Sequence, residues 1–181
     1  LPGRLFQLAT ATPDLIALRE KNLGVWREYT WSEYLFSVRR VALALNAMGL
    51  KTGEHIAILS ENRTEWLYAD LGAQSVGLRS VGIYQTNPPS DVQYIVNHSE
   101  ARLIFCEDQE QVDKLIAVRN ETPALEYIVV FDPRGLRNTE DARLMDWSTF
   151  LQMGDGRSDV DAWYRAQLDQ LDPSAPAMVV Y

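Results

Sequence analysis

A single cysteine, Cys106, occurs in a chain of 181 residues, which excludes an internal disulfide and fits a reducing compartment such as the cytoplasm. Cations are also in short supply: 17 Lys and Arg against 25 Asp and Glu give a formal charge of −8. Nucleic-acid affinity needs clustered cations facing phosphates, so no nucleic-acid partner is expected. No apolar run approaches the roughly 18–20 residues that a bilayer crossing requires. The opening "LPGRLFQLATATPD" lacks a basic stretch followed by a long apolar core, which argues against a secretory leader. The two histidines, His55 and His98, stand far apart without metal-ligand spacing. Glycine-rich phosphate motifs are missing too. Neither G-x-G-x-x-G nor G-x-x-x-x-G-K-[ST] occurs, and the first alternating unit reads Ser60-Glu-Asn-Arg-Thr-Glu65.

What remains is the composition of a globular protein, 46% hydrophobic and 23% charged, long enough to bury a core. Residues 15–30 read as two short strands around Lys21-Asn-Leu-Gly24, whose Asn and Gly tolerate a turn. Thr30-Trp-Ser-Glu33 has the spacing of a capping box, in which hydroxyl and carboxylate each satisfy a free amide. Tyr34, Leu35, Val38, Val41, Ala42 and Leu45 follow at helical spacing, and Gly49 supplies a left-handed stop.

Beyond this point the pattern becomes regular. Apolar strands are predicted at 55–60, 79–84, 102–106 and 126–131, with helices at 63–76, 89–98 and 108–120 between them. Asn62 and Ser90 are the expected caps of the first two of these helices. Such alternation predicts an α/β fold, a mainly parallel sheet with helices on both faces, preceded by a short β-hairpin. Residues 133–144 read as a polar surface loop. Two short amphipathic helices follow, from Asp146 and from Val160, joined at Gly154-Asp-Gly156. The chain closes on "AMVVY", an apolar, β-branched run.

Few residues stand out as chemistry. Cys106 ends a buried strand beside Glu107 and Asp108, which favours core packing over a reactive thiolate. Glu61, Glu65, Asp70, Glu107 and Asp108 fit a solvated face, with extra weight on Glu107 and Asp108 at a strand's carboxyl end, where open α/β sheets bind ligands. Trp31, Trp66 and Tyr68 fit helix faces against the sheet. The segment "GIYQTNPPSD" (82–91) joins a strand end, a polar turn, two prolines and a helix start. Prolines fix the turn and the helix start offers free amides, so this corner suits one wall of a ligand site as well as an ordinary strand-to-helix turn.

Taken together, "YTWSEY", "ENRTEWLYADLGA" and "GAQSVGLRSVGIYQTNPPSDVQYIVNHSEARLI" resemble, in order and spacing, the N-terminal region of the adenylate-forming (AMP-binding) superfamily. The wording is most similar to its long-chain fatty acyl-CoA synthetase branch. The resemblance implies that residues 1–181 are the N-terminal portion of an AMP-binding domain, with 133–172 as an irregular, partly helical insertion. It implies that "AMVVY" leads into the family's phosphate-binding loop, so that catalytic and metal-binding residues lie outside this segment and the segment alone is inactive. The intact enzyme would use ATP, CoA and Mg2+ to convert a fatty acid into acyl-CoA, AMP and pyrophosphate. Tyr84, Gln85, Thr86 and Asn87 would border its CoA tunnel. A fatty-acid substrate leaves room for peripheral membrane contact, and an unfinished sheet edge is expected to self-associate. Two alternatives stay open: another adenylate-forming ligase acting on an aryl, medium-chain or amino acid, and a non-catalytic α/β interaction module.

Overall fold

The computed structural model describes residues 1–136 and 139–181, with Asn22 described by its backbone alone. Positions 137–138 of the expected polar loop lie outside the described residues. A helix not foreseen from the sequence, α1 (Pro2–Ala11), opens the chain. The hairpin β1 (Ile16–Asn22) and β2 (Val25–Thr30) follows, antiparallel and turning through Leu23 and Gly24, both at positive φ. Helix α2 (Trp31–Ala47) begins at the expected capping box. The Thr30 hydroxyl accepts the Glu33 amide at 3.2 Å, and the Glu33 carboxylate accepts the Thr30 amide at 2.7 Å. Removing such a cap costs about 0.5–2 kcal/mol. Gly49 ends the helix at φ 77°, where the Leu50 amide reaches back to Leu45 at 3.3 Å.

The alternating part then runs β3 (His55–Leu59), α3 (Thr64–Ser75), β4 (Arg79–Ile83), α4 (Pro89–Ser99), β5 (Leu103–Cys106), α5 (Gln109–Ala117) and β6 (Tyr127–Val130). The tail contributes β7 (Leu144–Asp146), α6 (Trp147–Gln152), α7 (Val160–Gln170) and β8 (Met178–Val179). Two expected caps are corrected. Arg63, not Asn62, holds the capping position of α3 with no side-chain bond. Helix α4 has Pro88 at its capping position and Pro89 as its first residue, placing Ser90 inside its first turn; Pro89 has no amide, so one fewer donor at the helix start needs a partner. Strand β7 also corrects the sequence reading, which placed its residues in the loop and the following helix.

Among the described residues, six strands form one wholly parallel sheet in the order β7-β6-β5-β3-β4-β8. Each central strand is apolar on both sides, because successive side chains alternate between two helical layers. Ile56 and Ile58 of β3 face a core shared with α1, α2, α3, α6 and α7. Ala57 and Leu59 face the second core, built against α4 and α5. All four are wholly buried, and each Ile or Leu so placed contributes about 1.5–3 kcal/mol. Helices α2 and α3 approach closely at Gly72, where an added Cβ would lie 2.5 Å from Val41 Cγ1. Tyr164 of α7 is fully buried, with its hydroxyl 2.8 Å from Ser75 Oγ, and anchors the tail to this layer. No helix among the described residues is long and apolar enough to cross a membrane.

Candidate functional site

Strand order reverses around β3. The connection from β3 leads to β4 on one side, whereas β5 and its successor β6 lie on the other. The carboxyl ends of β3 and β5 therefore form a topological switch point, the usual place for a ligand crevice in such sheets. Side chains bridge it here. The Glu107 carboxylate accepts the Glu61 amide at 2.7 Å and the Ser60 hydroxyl at 3.4 Å, with Arg63 Nη1 4.0 Å away. Arg63 itself grips Glu65 through two bonds of 2.8 and 3.1 Å and lies 5.4 Å from the Phe131 ring centre. Burial works against the Glu65 carboxylate, yet Arg63 outweighs it and holds the carboxyl below its ordinary value. Asp108 caps α5. Both acidic residues singled out at this strand end thus have structural partners.

One strand further along, a cavity of about 600 Å3 opens at the carboxyl ends of β3, β4 and β8. Its walls are the Ser60–Asn62 loop, the Tyr84–Thr86 segment, Trp66 of α3 and the 178–181 segment. Gly82 of β4 leaves room at its floor, since a Cβ there would stand 3.8 Å from Trp66 Cζ2. Among the lining residues the charged side chain is Glu61; there is neither Lys nor Arg. Tyr84 points into solvent, 76% exposed, while Gln85 is half-buried and donates its side-chain amide to Glu61.

Three of the four expected site residues, Tyr84, Gln85 and Thr86, line this cavity. Asn87 stands outside the lining and closes the turn, its amide donating to the Tyr84 carbonyl at 3.0 Å. Trp66 is not read as a site residue from the sequence, and Gly82 enters there only as the first residue of the 82–91 corner. A glycine inside an apolar strand is a signal of close approach; for Trp66 no local signal exists. The remaining candidates fall elsewhere. Cys106 is wholly buried, and burial followed by the nearby Asp108 charge pushes its thiol well up from the ordinary value. His55 is pushed down by burial and by Arg79. His98 Nδ1 pairs with the Tyr181 hydroxyl at 2.7 Å, and its ring stacks on Tyr94.

A parallel α/β sheet with a cavity at its strand carboxyl ends defines a ligand-binding class shared by many enzymes. The particular family is narrower: the chain belongs to the AMP-binding enzymes, whose family pattern matches residues 5–181. It is 30% identical over 158 residues to the long-chain-fatty-acid–CoA ligase ACSBG2 of Xenopus laevis, covering 87% of this chain and 20% of that protein. To human ACSBG1, another long-chain-fatty-acid–CoA ligase, it is 33% identical over 118 residues, covering 65% and 16%. An uncharacterized protein of Mycobacterium tuberculosis is 35% identical over 124 residues, covering 68% of this chain and 67% of the relative. The chain therefore spans about a fifth of the length of the curated ligases it matches. In fold it is similar to an anthranilate CoA ligase solved with anthranoyl-AMP, with a TM-score of 0.70 at 23% identity over 94% of this chain and 29% of the other. The N-terminal domain of FACL13 from Mycobacterium tuberculosis gives 0.69 at 20% identity over 88% and 36%.

Proposed function

We propose that residues 1–181 are the N-terminal part of an ATP-dependent ligase that joins a fatty acid to CoA, and that the Tyr84–Asn87 turn borders the path of the CoA arm. Residues 133–172 are an insertion in that domain. In the reaction, the fatty carboxylate attacks the α-phosphorus of ATP and pyrophosphate leaves. The CoA thiolate then attacks the acyl carbon, and AMP departs with the bonding electrons. Adenylate is a leaving group where oxide is not, which is why the acid is activated first. The long-chain assignment is supported by the relatives at 30% and 33% identity.

The cavity's lining carries the assignment of its part in this chemistry. Walls holding Trp66, Tyr84, Ile83 and Val179, with amide and hydroxyl groups from Gln85 and Thr86 and no cation, suit an uncharged amide-bearing arm. Phosphates would call for Arg or Lys. Among the described residues no three His, Cys, Asp or Glu side chains are grouped to hold a metal ion. Its own contribution is to shape and orient: the Glu61–Gln85 contact joins two loops at the cavity wall.

Titrating the chain with CoA at millimolar concentration, followed by amide chemical shifts, tests this reading. Shifts concentrated at Gly82–Asn87 and at the Trp66 indole are expected, with ATP alone leaving them in place. Shifts confined to other surfaces would overturn it. ATP–pyrophosphate exchange with a fatty acid is expected to be undetectable from residues 1–181, and exchange at the rate of a full-length ligase would refute the assignment of adenylation to other segments.

A further inference from the structure

The turn Tyr84–Asn87 is held from outside its own loop. Lys114, on α5, donates its ammonium to the backbone carbonyl of Gln85, to Gln111 Oε1 at 2.9 Å, and approaches Glu110 Oε1 at 3.6 Å. Three acceptors thus surround an ammonium with three donors. Its side chain is only 15% exposed, so the charge sits where losing a partner is costly. Gln111 is itself 2% exposed, and its backbone amide donates to Asp108 Oδ1, the cap of α5, at 3.4 Å. The contact is therefore rooted in the helix start rather than in a freely moving surface chain. On the other side of the turn, Gln85 reaches Glu61, whose amide is held by Glu107. A continuous run, Lys114–Gln85–Glu61–Glu107, links the loops that follow β3, β4 and β5.

We infer that Lys114 is a positioning residue for the cavity wall: its ammonium fixes the Gln85 carbonyl and so sets the turn that presents Tyr84, Gln85 and Thr86 to a ligand. A carbonyl in a turn has no strand or helix partner to orient it, and a charged donor supplies that orientation with a bond stronger than a neutral one. The functional half of this inference rests on the ligase reading above; the geometric half does not.

Two measurements on the 181-residue chain test it. In the unaltered protein, a through-hydrogen-bond NMR coupling between Lys114 Nζ and the Gln85 carbonyl carbon is expected, and an ammonium that exchanges freely with no such coupling overturns the inference without any variant. In Lys114→Met, which keeps the aliphatic stem and removes the donors, hydrogen exchange at the Asn87 amide should quicken by roughly tenfold or more, the scale of a lost bond to a charged donor. Ala57 and Ile58 in β3 serve as unmoved references. Lys114→Arg should restore most of the protection. Packing alone predicts the reverse order, with Met protective and the bulkier Arg not; that order, or exchange at Asn87 unchanged within twofold, refutes a positioning role. If the coupling is present and CoA never perturbs Gly82–Asn87, the ligase reading of the cavity fails while Lys114 keeps its place as the turn's anchor.

Discussion

The Glu107 carboxylate accepts the backbone amide of Glu61 at 2.7 Å, joining the loop after β5 to the loop after β3 where strand order reverses. Many sheets of this kind leave that crevice for a ligand; here a side chain spans it, and the open cavity lies one strand away.

That bond sets a stability prediction. The Glu107 side chain is 22% exposed, so water weakens the bond only in part. Glu107→Ala should cost about 1.5–3 kcal/mol, the range for a hydrogen bond to a charged group. Glu107→Gln keeps an acceptor oxygen and should lose clearly less. Urea denaturation at neutral pH measures both. Equal losses in the two variants would mean that charge near Arg63, not the bond to Glu61, is what Glu107 supplies.

Contact between α2 and α3 depends on the missing side chain at position 72. A Cβ there would meet Val41 Cγ1 at 2.5 Å and the Val38 carbonyl at 3.2 Å. Alanine is favoured over glycine within a helix by about 1 kcal/mol, but overpacking costs about 1–3 kcal/mol. Gly72→Ala should therefore destabilise on balance, and Val41→Ala in the same chain should recover part of the loss despite its own smaller contact. Thermal or urea unfolding of the two single variants and the double variant decides the sign. A more stable Gly72→Ala protein would show that the helices yield freely.

At the opposite end of the sheet, Arg102 bonds Glu54 at 2.7 Å and Glu126 at 2.7 and 2.9 Å. Arg102 draws the Glu126 carboxyl below its ordinary value. For Glu54, burial pushes upward, but the Lys51 amide and Arg102 prevail and its carboxyl is also lowered. A carboxyl lowered by folding adds stability above its unfolded value, near 4.5, and that contribution disappears as pH falls through the lower folded value. Stability should thus decline on acidification from 4.5 downward. In Arg102→Leu the midpoint should be lower at neutral pH and the decline over the acid range shallower. Thermal melts across that range read both slopes, and parallel slopes would count against the trio as their source.

Those parts of the fold that rest on neighbours in sequence were legible without coordinates. The Thr30–Glu33 box, the Gly49 stop, the hairpin and four strands of the sheet each depend on local pattern, and all stand where their residues implied. Caps were less transparent. Asn62 and Ser90 have the right chemistry, but the first helical turns begin at Thr64 and Pro89 and leave them at the wrong positions. Helix α1 and strand β7 owe their places to distant partners, as Leu5 packs into the α2–α3 core and Leu144 pairs with Ile128. The same holds for the cavity. The turn at 84–87 could be read from its prolines and polar residues, whereas Trp66 joins the cavity wall and Lys114 reaches the Gln85 carbonyl only once α3 and α5 are docked.

The two-residue pairing of β8 with β4 has a kinetic side. Strands β3, β4 and β5 are joined through short helical crossovers, so their pairing closes small loops. Ser80 meets Met178, by contrast, only after most of the chain has been brought back to the sheet. Closing so large a loop for so few bonds predicts that this seam forms later than the pairing of β3 with its neighbours. Pulse-labelled exchange should accordingly find the Ser80 amide, bonded to the Ala177 carbonyl, protected later than that of Ile58, with the cavity wall that β8 supplies completed after the central strands.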